Sequence, residues 1–124
     1  MEDNRTAIFL QLKEVLKTYE PPFTAKSDSS SGYELWSIKD VVFAGRNRKE
    51  VFFASVIVKS TYVGFYFMPV YIDAAMKKFF KKELLSTLKG KSCFHIKEMD
   101  PRLLAQVRDA LKRGFALYKK NKWV

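Results

Sequence analysis

The 124-residue sequence predicts an α+β fold, an antiparallel sheet with helices packed on one face. Three observations carry that prediction. Val51 to Tyr71, VFFASVIVKSTYVGFYFMPVY, is the densest run of β-branched and aromatic residues, and Lys59-Ser60-Thr61 splits it into two strand-length pieces. Apolar residues at three- and four-residue spacing mark an amphipathic helix near each end of the chain. Asp100-Pro101 is a strong helix start, an N-cap followed by a proline at the first helical position.

Each element then follows in order. Asp3 or Asn4 can cap a first helix running to about Thr18, with Ala7, Ile8, Leu10, Leu12, Val15 and Leu16 as its apolar face. Pro21-Pro22 ends it, because the residue before a proline avoids helical geometry. Glu20 to Gly32, EPPFTAKSDSSSG, has the composition of a flexible surface loop. Tyr33 to Ile38 alternates as a first strand, Val41 to Ala44 resumes it, and residues 45–50 form a polar turn into the central pair. Arg46, Arg48 and Lys49 on that turn can touch a phosphate or simply be solvated.

Pro69 cannot donate to a ladder and closes the second central strand. Tyr71 to Phe80 reads as a helix that buries Ile72, Ala75, Met76, Phe79 and Phe80. Its other side would stack Lys77, Lys78, Lys81 and Lys82 into a basic ridge. Glu83 to Leu88 extends this helix or starts another turn, and Gly90 suits a left-handed closing position. Ser92 to Lys97 alternates as a last strand, with Phe94 and Ile96 on one side and Cys93, His95 and Lys97 on the other. The final helix carries the stripe Leu104, Val107, Leu111 and Tyr118, widened by Leu103, Ala110 and Phe115. Gly114 in its interior implies a close packing contact, since glycine costs about 1 kcal/mol there relative to alanine.

Composition limits function more than it assigns it. The expectation is one domain over residues 1–124, hydrophobic enough at 48% to hold a core. No apolar run is long enough to span a membrane, and the N-terminus lacks the basic n-region of a signal peptide. A single cysteine, Cys93, permits no internal disulfide, which suits the cytoplasm. The net charge of +10 lies wholly in residues 76–124, where fourteen basic residues meet four acidic ones.

Chemical motifs are sparse. One histidine, one cysteine and no paired-ligand motif give no metal site, and no glycine-rich phosphate loop or nucleophile elbow is present. Cys93 and His95 share a strand face and are the weak catalytic candidates, with Lys91 and Lys97 able to favour a thiolate. For nucleic acid, the lysines could neutralise phosphates and Tyr66, Tyr71 and Trp123 could stack on bases, yet no recognition module appears. Along Phe65-Tyr66-Phe67 both strand faces carry rings. Helices on one face only would leave an aromatic ligand or partner surface on the other; helices on both would make it core.

The segments Val51–Ser55, Tyr62–Pro69, Leu88–Lys97 and Asp100–Tyr118 together resemble the YdhG-like domain, a small bacterial family of largely unknown function. The resemblance covers the chain from about Tyr33 onward and implies a frataxin-type α+β sandwich. One branch is described as a frataxin-like iron chaperone, a role that would rest on acidic surface residues. This chain departs from that pattern: Glu2, Asp3, Glu14 and Glu20 are few and are offset by Arg5, Lys13 and Lys17.

The resulting expectation is a bacterial, non-enzymatic binding or accessory module without a cofactor. Its basic half, through Lys77, Lys78, Lys81, Lys82, Lys112 and Arg113, would meet an acidic protein surface or nucleic acid. Iron chaperoning and nonspecific nucleic-acid binding are the alternatives.

Overall fold

The two pieces of the aromatic run pair as expected. In the computed structural model, which describes residues 4–43 and 45–124, β5 (Val51–Val58) and β6 (Val63–Phe67) run antiparallel at the centre of a six-stranded sheet. The sheet order is β1-β2-β5-β6-β8-β7, with β1 Thr24–Asp28, β2 Gly32–Ser37, β7 Leu88–Lys89 and β8 Cys93–Ile96. Every pairing is antiparallel. The helices α1 (Arg5–Lys17) and α4 (Pro101–Lys120) cover one face, which makes the fold α+β. Among the described residues no helix is long and apolar enough to cross a membrane.

Alternation along the strands decides what each face receives. Tyr33 and Leu35, Val56, Val63, Phe65 and Phe67, and Phe94 and Ile96 all point toward the helices and are fully buried. A bulge perturbs the alternation once. Leu35 pairs with Ala54 and Trp36 with Phe52, so Phe53 is the extra residue and joins Ala54 in facing the core. There its ring stacks on Phe23 at 4.2 Å between centroids and meets Tyr118 edge-on at 5.1 Å.

Several elements differ from the sequence reading. The stretch expected as a flexible loop at 20–32 contains β1, and Phe23 within it is buried, because its ring fills the space beside Phe53. Glu20 to Phe23 and Ser29 to Ser31 remain as turns, the second closed by the Ser29 backbone N–H donating to the Gly32 carbonyl at 2.8 Å. Of the Val41–Ala44 stretch, Ala44 lies outside the described residues and Val41–Phe43 does not resume β2. It pairs with Arg46–Arg48 as a separate hairpin, β3–β4, and Gly45 at φ +77° supplies the turn. Trp123 holds that hairpin by stacking edge-on with Phe43 at 4.8 Å and donating from Nε1 to the Val42 carbonyl at 3.1 Å.

At α1, Asn4 occupies the cap position but its side chain donates instead to the Lys97 carbonyl at 3.1 Å; Asp3 lies outside the described residues. The buried face is Ile8, Phe9, Leu12, Val15 and Leu16, so Ala7 and Leu10, both expected inside, are exposed, Leu10 to 54%. Phe9 takes their place. The final helix opens as expected, with Asp100 accepting from the Leu103 backbone N–H at 2.8 Å and Pro101 beginning the first turn.

Gly114 explains itself. A Cβ there would lie 2.6 Å from the Phe67 ring and 2.7 Å from the Pro69 ring, so the missing methyl lets α4 settle onto the end of β6. Gly114→Ala should therefore destabilise the protein despite alanine's better helix propensity. Overpacking costs about 1–3 kcal/mol and the helix preference returns about 1 kcal/mol. Two buried contacts place the strain toward the upper end, for a net loss of about 1–2 kcal/mol by urea unfolding. Equal or greater stability in the variant would show that the contact can relax freely.

Candidate functional site

The expected lysine ridge does not form, because its helix is not continuous. Past β6 the chain makes a short helix, α2 (Met68–Ile72), breaks at Asp73, and continues as a 3₁₀ turn, Ala74–Phe79. Asp73 accepts the Ala75 backbone N–H at 3.2 Å, which caps the second segment and separates it from the first. Phe80 and Lys81 are then extended, and a further single-turn helix, α3, covers Lys82–Leu85. Four lysines at helical spacing thus fall in three different backbone conformations. Lys77 and Lys78 lie on the 3₁₀ turn, Lys81 in the extended link and Lys82 at the start of α3.

What replaces the ridge is a groove between this segment and the outer flank of α4. Gln106 sets its geometry. Its Oε1 accepts the Leu84 backbone N–H at 3.0 Å and its Nε2 donates to Glu83 at 2.9 Å, which fastens α3 to the helix. That bond, ahead of the attraction of Arg102, holds the Glu83 carboxyl below its ordinary range. Two adjoining depressions of about 370 and 300 Å³ share Phe79 and Arg113. Lys81 and Arg102 line the first, and Lys120 the second.

Both carboxylates along this groove are already engaged. Asp109 accepts from Arg113 Nε at 2.8 Å, and Asp73 is committed to its cap. Arg113 also lies over the Phe79 ring at 4.3 Å, although Phe79 itself is 51% exposed. The floor is apolar: Met76, Phe79, Ala116 and Leu117 in one half, Phe80 and Ala105 in the other. Of the residues expected to bind, Lys81 and Arg113 are brought together here. Lys112 is not, since one residue along a helix is a turn of about 100° and carries its side chain away from the groove. Arg102, Lys120 and Phe79 were not legible as site residues. Arg102 and Lys120 only add to the charge of residues 76–124, and Phe79 read as core.

Cys93 and His95 do share the sheet face away from the helices, as alternation predicts. They do not make a nucleophile–base pair. Cys93 lies opposite Tyr66, its cross-strand partner, whereas the His95 ring stacks on Tyr62 at 3.9 Å and 11°. Burial pushes the Cys93 thiol up, against smaller lowering effects from Tyr66 and Lys59, which is the reverse of an activated thiolate. Burial first, and then Cys93, push the Tyr66 phenol up to about 12. Trp123, expected as an exposed stacking residue, instead packs edge-on against Tyr118 at 5.2 Å; Tyr71 is 57% exposed.

No family model, curated protein or solved structure matches the chain. Among the described residues no three His, Cys, Asp or Glu side chains gather as a metal site requires.

Near neutral pH, Cys93 should alkylate more slowly than a free cysteine, with the rate rising as alkali removes the proton. Tyr66→Phe removes the hydroxyl that steadies the thiolate, so the midpoint of the rate–pH curve should move upward. A midpoint that stays put or falls would remove the Tyr66 hydroxyl from this environment.

Proposed function

We propose that the chain is an accessory binding module, without catalysis of its own, that takes an acidic protein segment into the groove between α4 and residues 73–85. The observation that carries this reading is the placement of Lys81, Arg102, Arg113 and Lys120 around an apolar floor. Basic rims steer an acidic partner and select it by sign. Arginine adds planar, paired bonding to carboxylates that lysine cannot give. The floor receives an apolar side chain of the same segment, and such anchors supply most of an interface's affinity.

The floor also favours protein over nucleic acid as the groove's partner. A phosphate backbone would use the cations and leave Met76, Ala116 and Leu117 against solvent. Iron handling, which the YdhG-like resemblance implies, would draw on surface carboxylates near the first helix. Of those, Glu20 already accepts from the Tyr33 hydroxyl, and on neighbouring β1 Asp28 pairs with Lys13 of the helix at 2.5 Å.

The test is fluorescence anisotropy with a labelled acidic peptide carrying two leucines, at near-physiological salt. Lys81→Glu combined with Arg113→Glu should weaken binding by at least about tenfold, whereas Lys112→Glu should change it by less than about twofold. Equal effects from both would mean that bulk charge, not the groove, attracts the peptide. Failure of the peptide to bind the unaltered protein would end the proposal.

A further inference from the structure

The second surface lies across the sheet from α4 and owes nothing to the groove. Residues alternate with the core ones along four adjacent strands, and most of those turned away from the helices are half-exposed, while Ser55 and Gly64 are covered by their neighbours. Many of them carry rings. Trp36 on β2 meets Phe52 on β5 edge-on at 5.3 Å. Toward the opposite corner, Tyr62 and His95 stack nearly parallel. Tyr66 lies between. Its ring reaches across Gly64, where a Cβ would stand 3.0 Å from it, so the glycine lets the phenol lie against the sheet.

The span of this platform follows from strand geometry. From β2 to β8 there are three strand spacings of about 4.8 Å each, or about 14 Å in all. Four-stranded sheets that bind RNA place their rings over a comparable width and stack two or three bases on them. Stacking is tolerant of sequence, because every base has a π-face, but it needs bases that are not already paired.

Charge on this face is arranged for phosphates. At one corner Arg48 lines a small cleft of about 190 Å³ with Trp36 and Phe52. At the far edge Lys89 on β7 pairs in register with Cys93 and is exposed. Neither Arg48 nor Lys89 has an ion pair among the described residues. Three carboxylates lie nearby: Glu50 is neutralised by Lys26 at 2.6 Å, Glu34 accepts from Trp36 Nε1 at 3.0 Å and keeps its charge, and Asp40 lines a depression with Arg48. Lys26 itself sits 4.5 Å above the Trp36 ring.

We propose that this face binds single-stranded nucleic acid, with bases stacked on Tyr66, on the outer faces of the Tyr62–His95 pair and, in place of the Lys26 ammonium, on Trp36, and with phosphates against Arg48 and Lys89. The site is independent of the α4 groove.

The probe is a labelled oligothymidine of about ten nucleotides, compared with an abasic strand of equal length and with a duplex, at low and near-physiological salt. Binding should be strongest for the oligothymidine. Trp36→Ala and Tyr62→Ala should each weaken it about tenfold, the effect expected for one lost stacking partner. Tyr62→Phe keeps the ring and should bind as the unaltered protein does. Circular dichroism of each variant separates lost binding from lost folding; if Trp36→Ala does not fold, Tyr62→Ala against Tyr62→Phe decides. Lys81→Glu with Arg113→Glu, which lowers the net charge by four, should leave the preference for oligothymidine over the abasic strand unchanged, which keeps the outcome separate from that of the acidic-segment proposal. Equal affinity for the abasic strand or the duplex, no effect of the ring deletions, or no binding at low salt would each overturn the proposal.

Discussion

Phe53 is the side chain on which the rest of the packing depends. As the extra residue of the β5 bulge it turns toward the helices, where alternation would have left one residue fewer. Its ring touches Phe23 from the segment after α1, Phe67 from β6 and Tyr118 from α4. One aromatic thus ties four parts of the chain. The same bulge sets the other face, because Phe52 and Ser55 on either side of Phe53–Ala54 both project away from the helices. Regular alternation through these four residues would instead turn one of the two toward the helices.

The final helix has two tasks that its sequence interleaves. Its inner stripe, ending in Tyr118, is fixed to the sheet by shape at Gly114 and by the Tyr118 hydroxyl donating to the Phe52 carbonyl at 2.6 Å. Its flank carries Gln106, which fastens α3, and the arginines that border the groove. Burial of Gln106 is tolerable because both its amide groups have partners. This one polar side chain gives the irregular segment 73–85 a fixed relation to α4, and so positions Lys81 opposite Arg113. The groove is a product of docking between elements rather than of either element alone.

Legibility followed the range of the interactions involved. The central strands, the alternation at Phe94 and Ile96 and the Asp100 cap are local signals, and they were readable. The reading failed where distant partners intervened. The 20–32 stretch has loop composition, yet pairing of Thr24–Asp28 with β2 makes part of it a strand. The 71–82 stretch has helical spacing, yet the Asp73 cap and the docking of Phe80 against Phe94 break it. The basic groove was half legible: Lys81 and Arg113 stood out as cations, but nothing local says that residues thirty-two apart face each other.

By itself the sequence determined the α+β class, the two central strands, the capped final helix and the placing of all excess charge in residues 76–124. These depend on patterns within a few residues or on composition. Tertiary structure alone decided that the lysines would not form a ridge, that Cys93 and His95 would turn to different partners, and that one sheet face would keep its rings half-exposed. Those outcomes turn on which surfaces meet. Periodicity states which residues share a side of an element, but only packing assigns that side a neighbour.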